Sequence, residues 1–310
     1  MQLVSVHSHK GGAGKTALVL MMARHLAEHG KKVCLVDLDF LGTGVWPTIK
    51  ASLPHRYLGE VFVAAAGSRS YPPLEDLLGF HRIGAKVEPI GLILNAGSAA
   101  GIGKNGKRAE LHEQVVSLMG IEPQTTIIES SLKNLLPRLR ESGFDYVFMD
   151  CHPTLEEISE TVLRVQMAQR ESESSVVLVA TADRVHIYGL LKEIHRRTKS
   201  KTRKTLRTDR TVFVVNRVEK EKTERPYETR LDTFAQLASE LKKDPLIGDE
   251  APSLLRGLQL PHYCRLLWNR TLSSAAFAVR STGEIPRFPS GVLAHSGTAL
   301  CTELFGPAEG

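Results

Sequence analysis

Short apolar runs rich in β-branched residues recur along this chain at residues 3–6, 32–36, 91–94, 145–150, 175–180 and 211–215. Each is strand-length and apolar at nearly every inner position, the pattern of strands buried on both faces. Between them the period changes to one apolar residue every three or four. Residues 17–29, 74–78, 110–119 and 131–142 carry that helical spacing, as do 230–243 and 265–278 further on. Strands alternating with helices of this length predict βαβ units. The expected fold is α/β, a doubly wound, mostly parallel sheet flanked by helices. Residues 47–120 are the least regular part, and within them 101–108 (GIGKNGKR) predicts a mobile surface loop.

The junction between the first strand and the first helix holds His9-Lys10-Gly11-Gly12-Ala13-Gly14-Lys15-Thr16. Strand, glycine-rich turn and helix make a phosphate-binding unit. Glycines let the backbone N–H groups curl inward onto an anion, and the helix N-terminus adds partial positive charge. Lys15 is placed to reach β- and γ-phosphates, and the Thr16 hydroxyl to ligate Mg²⁺. The common pattern G-x-x-x-x-G-K-S/T is not met, because His9 stands at its first glycine. The sequence instead reads K-G-G-x-G-K-T, with an additional lysine, Lys10, at the head of the loop.

That variant resembles the deviant Walker A loop of the ParA/MinD family of P-loop ATPases. The resemblance implies that Gly11, Gly12, Ala13, Gly14, Lys15, Thr16 and Ala17 hold ATP with Mg²⁺. It also implies a homodimer formed on ATP binding, in which Lys10 crosses the interface to the other subunit's nucleotide. Two aspartates, Asp37 and Asp39, close the strand at 32–36, and the carboxyl ends of parallel strands are where ligands gather. The segment is similar to the family's switch I, where Asp39 matches the carboxylate that positions the attacking water and Asp37 supports the metal. Phe40-Leu41 replace the usual Pro-Gln.

The strand at 145–150 ends in Asp150, and an aspartate at such a strand end beside a P-loop usually holds a Mg²⁺-bound water. Cys151-His152-Pro153 follow, similar to the family's switch II, with His152 where a proline is common. A surface imidazole is the preferred reading of His152, with one near the γ-phosphate as the alternative. The resemblance further implies that Asn216 contacts adenine, with Arg217 beside it, and that Pro261 turns the chain over the base after a short strand at 258–261. Asn216-Arg217-Val218-Glu219 only partly fits the guanine-reading N-K-x-D, so ATP is preferred over GTP. Residues 95–98 are expected near the site, 181–191 as the loop and helix after a central strand, and 289–305 as a closing helix. The likeness extends over nearly the full length, so one domain, 1–310, is expected.

Composition then narrows the function. Apolar residues at 42% and charged residues at 24% are ordinary for a globular protein, and no apolar run is long enough to span a bilayer. The first strand begins at once, so no signal peptide is expected, and four scattered cysteines without a CxxC read as reduced cytoplasmic thiols. His7 and His9 form an HxH without an evident third ligand. No basic residue follows Arg287, which disfavours a C-terminal membrane anchor.

The net charge of +6 comes from one place. Residues 196–210 hold eight Lys/Arg and one Asp, and setting them aside leaves 32 basic against 33 acidic residues. Arg196, Arg197, Lys199, Lys201, Arg203, Lys204 and Arg207 are candidate contacts to duplex DNA, by counterion release from phosphates. A solvated loop is the alternative. Three functions therefore stand: a partition or positioning ATPase working on DNA with a stimulating protein partner, a switch docking on a protein assembly without DNA, and an ATP-dependent ligase acting on a small molecule. Lys10 speaks against the third.

Overall fold

The computed structural model describes residues 1–40, 49, 52, 54–67, 70–95, 106–120, 124–153, 157–169, 174–181, 184–199, 211–218, 231–233, 262–267, 300–301 and 304–305. In chain order the elements are β1 (Gln2–His7), α1 (Lys15–Glu28), β2 (Val33–Leu38), α2 (Leu58–Ala66), α3 (Leu74–Leu77), β3 (Gly79–His81), β4 (Ile90–Ile93), α4 (Gly106–Gly120) and α5 (Gln124–Glu141). Then come β5 (Tyr146–Cys151), α6 (Glu157–Met167), β6 (Ser174–Thr181), α7 (Arg184–Lys199), β7 (Thr211–Val218), β8 (Leu231–Thr233) and β9 (His262–Leu267). The strands form one sheet in the order β3-β4-β2-β5-β1-β6-β7-β9-β8. From β4 to β9 every pairing is parallel, while the edge strands β3 and β8 run antiparallel.

Alternation along the strands divides the core between two faces. Val4, Val6, Leu35, Phe148, Val177 and Val214 pack with Leu18, Val19 and Met22 of α1, and with Leu300 and Leu304. Leu3, Cys34, Val36, Val147 and Met149 point the other way, to Phe62 of α2, Leu132 and Leu139 of α5 and Val162 of α6. Phe148 is fully enclosed and meets Phe305 edge-on, with centroids 5.9 Å apart. Burying such a ring contributes roughly 1.5–3 kcal/mol.

Buried polar side chains also occur within these strands, Ser5 among them. Ser5 in β1 is buried, and its hydroxyl donates to Gln166 Oε1 of α6, whose Nε2 donates to the carbonyls of Leu3 and Ser175. The buried group is thereby satisfied, which removes the penalty it would otherwise carry.

Most expected elements form within a few residues of their sequence limits, and three expectations are corrected. The helix expected over 230–243 begins instead as β8, whose Leu231 pairs with Cys264 of β9. The helix expected over 265–278 overlaps β9, where Arg265 lies beside Val215 of β7. In both cases an open sheet edge recruits the segment, and pairing outweighs local helical spacing. Gly106 to Arg108, expected in a loop, open α4. Helices α2 and α6 and strand β3 have no counterpart in the sequence reading. The strand expected at 258–261 lies outside the described residues, whereas the helix expected at 289–305 is helical at 300, 301, 304 and 305.

The packing of α2 against α4 offers a test. A Cβ on Gly59 would stand 2.7 Å from Val115 Cγ2 and 3.4 Å from Leu111 Cγ. Alanine gains about 1 kcal/mol of helix propensity over glycine, while overpacking typically costs about 1–3 kcal/mol. Val115 is stiff and buried, so the clash should win. Gly59→Ala is therefore expected to lose about 1 kcal/mol in urea unfolding, and a gain in stability would contradict the close α2–α4 approach.

Candidate nucleotide site

The site lies where β1 hands over to α1. Past His7 the Ser8 hydroxyl donates to the Lys10 carbonyl at 2.9 Å, which starts the turn. Gly12 and Gly14 then take φ of 76° and 91°, a left-handed backbone open to glycine and strained for other residues. Gly14 is the N-cap of α1 and offers no side-chain oxygen, and no acidic residue occupies the first turn. The amide groups there are neither capped by a side chain nor countered by a carboxylate. They suit an anion.

The loop residues divide by exposure. His9, Lys10, Gly11 and Gly12 are exposed, Ala13 is buried, and Thr16 and Ala17 are half-buried. Lys15 is only 6% exposed, so its side chain is withdrawn from solvent. Thr16 Oγ1 donates to Asp150 Oδ2 at 2.6 Å. Asp150 is buried at the end of β5, flanked in register by Val6 of β1 and by Asp37 of β2.

Asp37 in turn organises the turn that follows β2. Its Oδ1 accepts the Asp39 backbone N–H at 3.1 Å, and its Oδ2 accepts from Asn95 Nδ2 at 3.2 Å. The same Asn95 amide donates to the Asp39 carbonyl at 2.7 Å. Asn95, expected near the site, is thus a brace for both aspartates, while its expected companions 96–98 lie outside the described residues.

The segment after β5 closes the ring. Pro153 Cγ is 4.0 Å from where a Cβ on Gly11 would stand, and His152 Nε2 is 3.8 Å from Asp39 Oδ1. Cys151 Sγ lies 3.7 Å from His7 Nε2, both buried. Burial, helped by the Asp150 charge, pushes the Cys151 thiol well up, so it stays protonated beside the loop.

Oxygen donors gather here without forming a closed cage. Among the described residues no group of three or more His, Cys, Asp and Glu is arranged to hold a metal ion. A hydroxyl and one or two carboxylates fit Mg²⁺, which keeps several waters and takes the rest of its shell from phosphates. The residues present suit that ion.

A further contact escaped the sequence reading. A Cβ on Gly189 of α7 would fall 2.7 Å from His9 Cδ2 and 2.8 Å from Nε2, so the imidazole rests against the bare helix backbone. The signal was there in two parts: a loop glycine replaced by His9, and a glycine inside a helical pattern.

Other expected site residues are brought less far. Asn216 and Arg217 lie on β7, with Asn216 in register with Thr181 at the carboxyl end of β6; their side chains lie outside those described. Pro261 lies outside the described residues, as do Lys201, Arg203, Lys204 and Arg207. Arg196, Arg197 and Lys199 belong to the last turns of α7, so the basic run begins on a helix and not in a loop.

A parallel sheet with an uncapped glycine loop at its centre and acidic neighbouring strand ends defines a P-loop nucleotide-binding protein. The chain belongs to the CobQ/CobB/MinD/ParA nucleotide-binding domain family, whose sequence model matches residues 4–252. A curated relative, the chromosome-partitioning ATPase Soj of Thermus thermophilus, is 26% identical over 167 residues, covering 52% of this chain and 49% of the relative. The chain thus spans about half the length of that relative. Among solved structures, the septum site-determining protein MinD of Pyrococcus horikoshii OT3, complexed with Mg-ADP, superposes with a TM-score of 0.58 at 16% identity, covering 98% of this chain and 96% of that one. A ParA family ATPase from Chlorobium tepidum TLS does so with a TM-score of 0.54 at 14% identity, covering 97% of each chain. These likenesses show the shared fold.

Lys15→Ala tests the anion site directly. Removing one charge-assisted hydrogen bond from a half-closed site lowers affinity by about tenfold or more. Titration with a fluorescent ATP analogue should show that weakening with the circular dichroism spectrum unchanged, and equal affinity would remove Lys15 from the site.

Proposed function

We propose that the protein is a dimerising ATPase of the ParA/MinD type, binding MgATP and hydrolysing it slowly as a switch in DNA partition or intracellular positioning. The observation that carries this reading is the joined edge of the sheet, with Lys15 buried at the start of α1, Thr16 hydrogen-bonded to Asp150, and the Asp39 main chain held by Asp37 and Asn95. In it, the amides of Gly11 to Thr16 cradle the phosphates and Lys15 neutralises charge on their β- and γ-oxygens. Asp39 orients the attacking water. Asn216, Arg217 and Pro261 receive the base, and Ala17 packs behind the loop. Thr16, Asp150 and Asp37 would hold Mg²⁺, which when bound supplies further neutralisation of the phosphate charge.

Phosphoryl transfer of this type is largely positioning and electrostatic stabilisation, so its rate depends on how many parts are in place together. Lys10 is exposed at the loop's head, which suits contact with nucleotide on a second subunit. Hydrolysis would then await pairing, and a protein partner that orders the switches would accelerate it. Leu300, Cys301 and Leu304 share the core of the matched region, which supports reading 1–310 as one domain. The buried thiols Cys34, Cys151 and Cys301 suit a reducing cytoplasm, and no helix among the described residues is long and apolar enough to cross a membrane.

Lys10 and Asp39 should separate pairing from turnover. Lys10→Ala is expected to bind ATP as a monomer but neither dimerise nor hydrolyse it, whereas Asp39→Ala should accumulate a long-lived ATP dimer. Light scattering with and without MgATP reads both, and an unchanged mass for wild type and variants alike would contradict the paired mechanism.

DNA is the preferred track because 196–210 concentrates the chain's positive charge and because the curated relative is named as chromosome-partitioning. Cations in the last turn of α7 also suit the helix dipole, a purely structural use. The run has no aromatic residue for stacking on single strands, so duplex backbone contact is the form expected. Two patches on an ATP dimer bind together, and avidity should make binding ATP-dependent. Arg203→Glu with Lys204→Glu should abolish sequence-independent duplex binding without loss of dimerisation. Gel shifts at graded salt measure it. A wild-type dimer that fails to shift duplex DNA even at low salt would favour a switch docking on a protein assembly.

A further inference from the structure

His152 occupies a position from which it can set the direction of the Asp39 carboxylate. Its backbone is anchored, since its carbonyl accepts from Ser159 Oγ of α6 at 3.5 Å and the following Pro153 lies by Gly11. Its ring turns toward switch I, with Nε2 3.8 Å from Asp39 Oδ1. Both side chains are largely covered, 17% and 19% exposed.

Asp39 is the complementary half. Its main chain is held on both sides, the N–H by Asp37 Oδ1 and the carbonyl by Asn95 Nδ2. Rotation of the carboxylate about Cα–Cβ and Cβ–Cγ decides where its oxygens lie. A separation of 3.8 Å is too long for a hydrogen bond, but distances among reacting groups commonly tighten when the ligand arrives. Proline, common in the family at this position, has no side-chain donor and could not make the contact.

We propose that His152 is a positioning residue for Asp39. In the nucleotide-loaded protein its Nε2–H donates to Asp39 Oδ1, which leaves the other carboxylate oxygen to orient the water. The inference rests on the ATPase reading above and adds to it a residue peculiar to this chain's switch II.

Single-turnover and steady-state kinetics of His152→Ala and His152→Gln test the role. His152→Ala should lower kcat by about tenfold, the worth of one hydrogen bond to a charged group, with KM for MgATP and affinity for a non-hydrolysable analogue nearly unchanged. His152→Gln, which keeps an N–H donor, should recover most of the activity. A merely structural role would move affinity with kcat and would not be rescued. A second readout needs no turnover: the ring ¹⁵N signal of His152 in protein loaded with a non-hydrolysable ATP analogue should move on Asp39→Asn. Unchanged kcat in His152→Ala, or a ring signal indifferent to Asp39→Asn, overturns the proposal alone. Absence of turnover in wild type overturns the ATPase reading itself, and this role with it.

Discussion

The arrangement at the sheet's carboxyl edge depends on one alignment, which sets Asp150 of β5 beside Val6 on one side and Asp37 on the other. In a parallel ladder a slip of a single residue turns every side chain to the opposite face. Such a slip would exchange Phe148 for Met149 in the α1 half of the core and carry Asp150 away from Thr16. The residues that enforce the register are apolar and distant from any ligand. Val4, Leu35, Phe148 and Val177 lock the strands against α1, and the hydrogen bond from Thr16 to Asp150 is the polar result. Precision at the site is inherited from the packing beneath it.

Much of this could be read from the sequence, for a physical reason. Central parallel strands are buried on both faces, so 3–6, 32–36, 145–150 and 175–180 appear as short, nearly continuous apolar runs. The glycine loop was equally legible, because left-handed turns at Gly12 and Gly14 leave little choice of residue. Asp39 and Asp150 followed from being strand-end acids. Asn95 was expected only to be near; that it braces two aspartates depends on β4 lying beside β2, a sheet order that periodicity does not encode.

The misses share a cause. Helix α2 is apolar on most positions and short, so its spacing gave no clear period. Strands β8 and β9 exist because the flank of β7 is open to pairing, a fact about the assembled sheet and not about residues 231–233 or 262–267 alone. Long-range pairing overrode a local helical pattern at both. His152 lay between these extremes: its departure from the family's proline could be seen in the sequence, but its proximity to Asp39 needed two strands separated by more than a hundred residues to be set side by side.

The meeting of His9 with Gly189 makes loop and helix one structural decision taken in two places. The exposed imidazole lies against α7 at a turn that lacks a Cβ. On a scaffold with a side chain at that turn the ring would have to rotate away from the helix. Failing that rotation, a helix bearing a side chain at 189 would ask for a smaller residue at 9. The two positions should therefore be inherited, and engineered, as a pair.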